Sequence, residues 1–196
     1  MTPLAALLRN MVEALAEIGA PFALVGGLAV SARTEPRFTR DIDLVVAVED
    51  DREAEAVVRT LAPSYEVLAT LEHDSLQRLA AVRVGQAGTG AAEAVVDLLF
   101  ASSGIEAEIA AAATAVQVFP MVSVAVARTG HLLALKLLAR DQRRPQDDVD
   151  LRALLEVAEP AEIHLATEAI SLIMRRGANR GRDLQREWRR LLASRA

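Results

Sequence analysis

The chain contains no cysteine, which excludes a disulfide framework and any thiolate metal site. Aromatic residues make up only 3% of it, and lysine occurs once, at Lys136, every other long basic side chain being arginine. No apolar run is long enough to cross a bilayer, and the first residues lack the charged-then-apolar layout of a signal peptide, so the expected location is cytoplasmic, with no membrane partner. A formal net charge of −5 argues against a general nucleic-acid coat, while leaving room for a local basic patch. The three histidines, His73, His131 and His164, show no ligand spacing, and no Gly-x-x-x-x-Gly-Lys loop, serine elbow or zinc-helix motif occurs. What is present is alanine and leucine. At 196 residues and 52% hydrophobic content, the chain can bury one sizeable core in a helix-rich α/β or α+β protein.

The pattern along the chain predicts its elements. Leu4, Leu7, Leu8, Met11, Leu15 and Ile18 line one face of an opening helix from Pro3 to Gly19, with Thr2 as its cap. Phe22–Val25 reads as a strand, Asp41–Val48 as a second, and Glu49-Asp50-Asp51 opens a helix to about Leu61. Tyr65–Thr70 and Arg78–Val84 read as strands separated by the polar Glu72–Ser75, and Gln86–Ala91 as a loop. Ser102-Ser103-Gly104 introduces a helix to Ala113 with Ile105 and Ile109 inward, and Val116–Pro120 and Val122–Val126 suggest a hairpin. After Arg128 everything reads as helix, including Ala161–Arg175 and Arg180–Ala193.

The stretch from Leu24 to Val48 carries the chemistry. An apolar strand runs into Gly26-Gly27, where the missing side chains let backbone N–H groups approach an anion at the start of a helix beginning at Leu28. Further on, Asp41 and Asp43 stand two apart on a strand, so both carboxylates point to one side while Ile42, Leu44 and Val46 face a core. Two carboxylates beside an anion site require a cation between them. Hard oxygen ligands with room for phosphates suit Mg²⁺. The near-continuous run Ala94–Phe100 reads as a central strand covered on both faces, and its one polar residue, Asp97, needs a reason to be there. Lying beside the Asp41 strand, Asp97 would complete a three-carboxylate set. A place at a strand end, or pairing with an arginine, is the other reading.

Hydrophobic-Gly-Gly followed by Asp-Ile-Asp-Leu resembles the polymerase-β-like nucleotidyltransferases. Arg37-Phe38-Thr39-Arg40-Asp41-Ile42-Asp43-Leu44 is most similar to their AbiEii-type toxin branch. Lys136 on a helix, followed by arginines and Asp147-Asp148-Val149-Asp150-Leu151, resembles the second half of those toxins. The resemblance implies a metal site of Asp41, Asp43 and Asp97 holding two Mg²⁺ ions, with Asp97 serving the attacking hydroxyl. It implies nucleotide contacts from Gly26, Gly27, Arg37, Thr39, Lys136, Asp147 and Asp150, with Lys136 also counted as catalytic. One departure is Gln146, where the family commonly has lysine; Arg143 or Arg144 could supply that charge.

Read from residues alone, Lys136 fits a solvated face shared with Arg140 and Arg143, where its removal would barely change stability. Asp147 and Asp148 fit a helix start, with Asp148 placed to pair with Arg152. The arginines from Arg175 to Arg195 fit either an RNA-tracking surface or, more simply, a helix face paired with Asp183 and Glu187. The expected architecture is an α+β polymerase-β-like nucleotidyltransferase core, a small mixed sheet flanked by helices, over residues 1–127, followed by a C-terminal helical bundle over 128–196. The implied activity is transfer of NMP from an NTP to an acceptor hydroxyl, with tRNA or a protein as acceptor, in the toxin of a toxin–antitoxin pair with a cognate antitoxin. A small-molecule, antibiotic-type nucleotidyltransferase and a catalytically silent NTP- or partner-binding module are the alternatives.

Overall fold

A computed structural model describes residues 2–73, 77–88, 94–141 and 145–194. Helix α1 (Pro3–Ile18) is capped by the Thr2 hydroxyl and ends at Gly19, and Leu7, Leu8, Met11 and Leu15 are buried beneath it. Strand β1 (Phe22–Val25) runs directly into α2 (Gly26–Arg33), which starts at the glycine pair rather than at Leu28. Strand β2 (Asp41–Val46) follows, then α3 (Asp51–Leu61), capped by Asp50. Next come β3 (Tyr65–His73), β4 (Arg78–Gln86), β5 (Val95–Leu99), α4 (Glu106–Ala112) and the hairpin β6 (Thr114–Phe119)–β7 (Val122–Val126). Among the described residues four helices follow: α5 (Thr129–Ala139), α6 (Pro145–Val157), α7 (Pro160–Arg175) and α8 (Leu184–Ala193). The last begins four residues beyond the expected Arg180.

Among the described residues the strands form one seven-stranded mixed sheet in the order β3-β4-β5-β2-β1-β7-β6. At its centre β2 pairs parallel with β5 and antiparallel with β1. Along β2, Ile42, Leu44 and Val46 are fully buried, each hydrophobic side chain of this size contributing roughly 1.5–3 kcal/mol. Strand β5 departs from expectation. Only Val96 and Leu98 are fully covered, while Val95, Asp97 and Leu99 alternate onto a partly open face. Asp97 is polar because that face of the sheet is a cleft wall.

The C-terminal helices pack on one another and reach the rest of the chain through α2, against which α5 and α6 lie. Gly130 on α5 lies so near α7 that a Cβ there would stand 2.5 Å from the Glu162 carbonyl oxygen, so larger residues would push the two helices apart. Trp188 is buried on α8 and donates its indole N–H to Thr167 at 2.9 Å. Of the C-terminal arginines, Arg182 pairs with Glu187, one of the acidic neighbours the helix-face reading names, while Arg176 pairs with the distant Glu108 on α4. Arg143, Arg144, Arg195, Ser75 and the far end of the Gln86–Ala91 stretch lie outside the described residues. Among the described residues, no helix is long and apolar enough to cross a membrane.

Candidate active site

The sheet's register assembles the first half of the site. Asp43 on β2 lies directly opposite Asp97 on β5 and Val25 on β1, and Asp97 lies opposite Arg83 on β4. Directly paired residues project to the same side, so Arg83, Asp97 and Asp43 form a row, with Asp41 two residues along. Gly26, at the turn from β1 into α2, has φ +65°, and a Cβ there would stand 1.8 Å from Asp43 Oδ2. Glycine is required there both by the left-handed backbone and by the carboxylate that occupies the space. At Gly27 an added Cβ would stand 2.8 Å from Arg37 Nη2 and 3.0 Å from Thr39 Oγ1. Among the described residues no side chain caps the N-terminus of α2, whose positive end lies at the cleft.

Asp43 is in an unfavourable place for a charge. Burial, and then the neighbouring Asp97, push its carboxyl up to about 6, with Asp41 adding to the effect and Lys136 opposing it. Asp97 is different. Arg83 donates to it through Nε at 2.8 Å and Nη2 at 2.7 Å, a two-pronged ion pair. The arginine partner considered for Asp97 is therefore present.

The second half of the site hangs on α5 and α6. Lys136 Nζ lies 2.9 Å from Asp147 and 2.8 Å from Asp150, and its side chain is only 14% exposed. This corrects the solvated-face expectation: the ammonium is turned between two buried carboxylates. Asp150 also accepts from Arg37 Nε and Nη2, both at 2.8 Å, and from Gln146 at 3.0 Å. Burial alone would raise the Asp150 carboxyl, but the hydrogen bonds from Arg37, Lys136 and Gln146 outweigh it and hold it below the usual carboxylate range. Asp148 points outward and pairs with Arg140, not with Arg152.

Between the two clusters lies a cleft of about 880 Å³. It is lined by Gly26, Gly27, Arg37, Thr39, Asp41, Asp43, Asp97, Lys136, Gln146 and Asp147, with Asp150 buried just behind. Arg83, Ser102, Ser103 and Arg180 line it as well, and were not singled out from sequence as site residues. Arg83 had a signal of the same kind as Asp97. After Arg78 at the start of the strand it is the one charge in an apolar run, in phase with Leu79 and Ala81 and out of phase with the buried Ala80, Val82 and Val84.

The fit to divalent metal is uneven. Asp41 and Asp43 supply hard oxygens, and Lys136 and Arg83 offset the charge at Asp43 only in part, which suits a cation shared with substrate phosphates. Both oxygens of Asp97 are committed to Arg83. Among the described residues, no group of three His, Cys, Asp or Glu side chains is arranged to hold a metal ion.

Comparison with known proteins shows the class of this chain, a nucleotidyltransferase. The model of the nucleotidyl transferase AbiEii toxin family, a type IV toxin–antitoxin system, matches residues 9–195, so the chain belongs to that family. Among solved structures, it is similar to an antigenic nucleotidyltransferase-like protein from Paracoccidioides brasiliensis, with TM-score 0.56 and 15% identity over 91% of this chain and 93% of that one. It is also similar to ANT(2″)-Ia, solved in complex with adenylyl-2″-tobramycin, with TM-score 0.54 and 16% identity over 87% of this chain and 98% of that one. The search of curated proteins gave no match. The expected family, fold class and enzyme class are all borne out.

Proposed function

We propose that this enzyme transfers an NMP from an NTP to a hydroxyl of a cellular acceptor, a tRNA or other macromolecule, as the toxin of a toxin–antitoxin pair. The observation that carries the reading is the register placing Asp43 opposite Asp97 beside the Gly26 turn, inside a cleft large enough for a nucleotide. The amides at the start of α2 face the phosphates. Arg37, Thr39 and Lys136 line the nucleotide's side of the cleft, with Asp147 and Asp150 holding Lys136 in place and Asp150 also anchoring Arg37. The acceptor hydroxyl attacks the α-phosphorus and gives up its proton to solvent, a new P–O bond forms, and the bond to the pyrophosphate oxygen breaks. Mg²⁺ on Asp41 and Asp43 would supply positive charge for the phosphates and the leaving group. Asp97, next to the reacting centre, orients the hydroxyl. The active-site core is residues 1–127, and the helices of 128–196 supply the facing wall.

Incubation with each α-labelled NTP and Mg²⁺, offered total RNA, protein extract or aminoglycosides, tests the proposal. Label is expected in RNA or protein. Label in an aminoglycoside instead would favour a small-molecule acceptor, the class of product bound in the ANT(2″)-Ia structure. NTP bound intact, with no label transferred to any pool, would indicate a silent binding module. Expression alone is expected to arrest growth, Asp43→Ala to cancel the arrest, and a neighbouring gene product to relieve it. Harmless expression of an enzyme active in vitro would contradict the toxin role.

A further inference from the structure

Three carboxylates on one wall would ordinarily call for two divalent cations. Here Arg83 stands in the same row of the sheet, directly opposite Asp97, and holds both of its oxygens at 2.7 and 2.8 Å. The two residues are neighbours on paired strands, so the geometry is set by backbone register rather than by a flexible loop. Three carboxylates less one guanidinium leave two negative charges, which a single divalent ion balances. For Asp97 to ligate a second ion, it would have to give up charge-assisted hydrogen bonds on both oxygens and leave a guanidinium beside the incoming cation. Among the described residues Asp43 has no such hydrogen-bonded partner, and Asp41 beside it adds further negative charge.

Resting on the reading that Asp41 and Asp43 hold a divalent cation, we infer that this enzyme works with one such ion, and that Arg83 supplies the positive charge a second ion would bring. Arg83 is then a positioning residue. It fixes the Asp97 carboxylate toward the acceptor side and keeps further metal out. Its side chain is 45% exposed at the cleft wall, so its charge is also presented to the developing negative charge of the reaction.

Counting Mn²⁺ by electron paramagnetic resonance, with a non-hydrolysable α,β-methylene NTP bound, tests this without reference to turnover. The wild type should hold one ion per complex. Arg83→Gln should hold two, because Asp97 is released. The charge-neutral double variant Arg83→Gln/Asp97→Asn should return to one ion, with affinity within about threefold of the wild type. Two ions in the wild type, one ion in Arg83→Gln, or loss of the remaining ion in the double variant would overturn the inference. No bound ion at all in the wild type would instead overturn the reading of Asp41 and Asp43 as metal ligands, and this inference with it.

Discussion

Two acidic clusters face each other across the cleft, and they are compensated in opposite ways. On the α6 side, Asp147 and Asp150 are buried but matched by Lys136 and Arg37, and the Asp150 carboxyl lies below its usual range. On the β2 side, Asp43 faces Asp97 and Asp41, and its carboxyl is raised to about 6. The protein neutralises one cluster with its own cations and leaves the other in deficit even with Arg83 on Asp97. A saturated cluster is a brace that holds α5, α6 and the loop before β2 in one arrangement. An unsaturated one stores unfavourable charge that an incoming cation relieves.

The largest expected effect comes from removing the deficit itself. Asp41→Ala and Asp43→Ala should each lower transfer by about a thousandfold or more, comparable to deleting a principal electrostatic group of an active site. Circular dichroism and thermal melting without metal should show the fold kept, with stability held or raised, because repulsion is removed. Full activity in both would erase the distinction between the clusters.

Breaking the brace should act on stability first. Lys136→Met leaves Asp147 and Asp150 short of a cation in a buried setting, and should cost about 3 kcal/mol in a denaturant melt. Transfer should fall with it, and Lys136→Arg should recover the charge without the fit between the two carboxylates. An unchanged melting midpoint in Lys136→Met would restore the solvated-lysine reading.

The clusters should also show opposite pH slopes. Asp43 ionises near 6 when folded against 3.8 as its ordinary value, so between those values the folded chain holds the extra proton. Stability of the metal-free protein should therefore decline as pH rises from about 4 to about 6, by roughly 2–3 kcal/mol, and Asp43→Asn should flatten that slope. Asp150, held low, contributes stability that is present at neutral pH and is lost as pH falls below the usual carboxylate range. The smallest effect belongs to the exposed pair just outside the brace. Asp148→Ala, which removes the partner of Arg140, should change stability by no more than about 0.5 kcal/mol.

Much of the first cluster was legible in the sequence because it is local. The glycine turn and the Asp-Ile-Asp strand lie within one stretch, and strand periodicity fixes which side the carboxylates take. The place of Asp97 followed from the cost of burying a lone carboxylate. Its partner Arg83 did not, although it broke an apolar strand in the same manner, because which strand neighbours which is decided by the sheet order. The brace was misjudged for a related reason. Helical spacing put Lys136 with Arg140 on one outward face, but α6 folds back over that face and buries the lysine while Arg140 stays at the rim. The extents of β3 and β4 were underestimated, since strand length in a hairpin is set by pairing more than by local composition.

The most direct measurement is a carboxyl NMR titration of Asp43 and Asp150, side by side, without metal and with Mg²⁺ and a non-hydrolysable NTP. Asp43 should titrate near 6 in the ligand-free protein and move down into or below the ordinary carboxylate range when the ligands bind, while Asp150 stays low throughout. An Asp43 that titrates normally in the ligand-free protein, or that ignores Mg²⁺ and nucleotide, would contradict the claim that this cluster is the one left open for a cation.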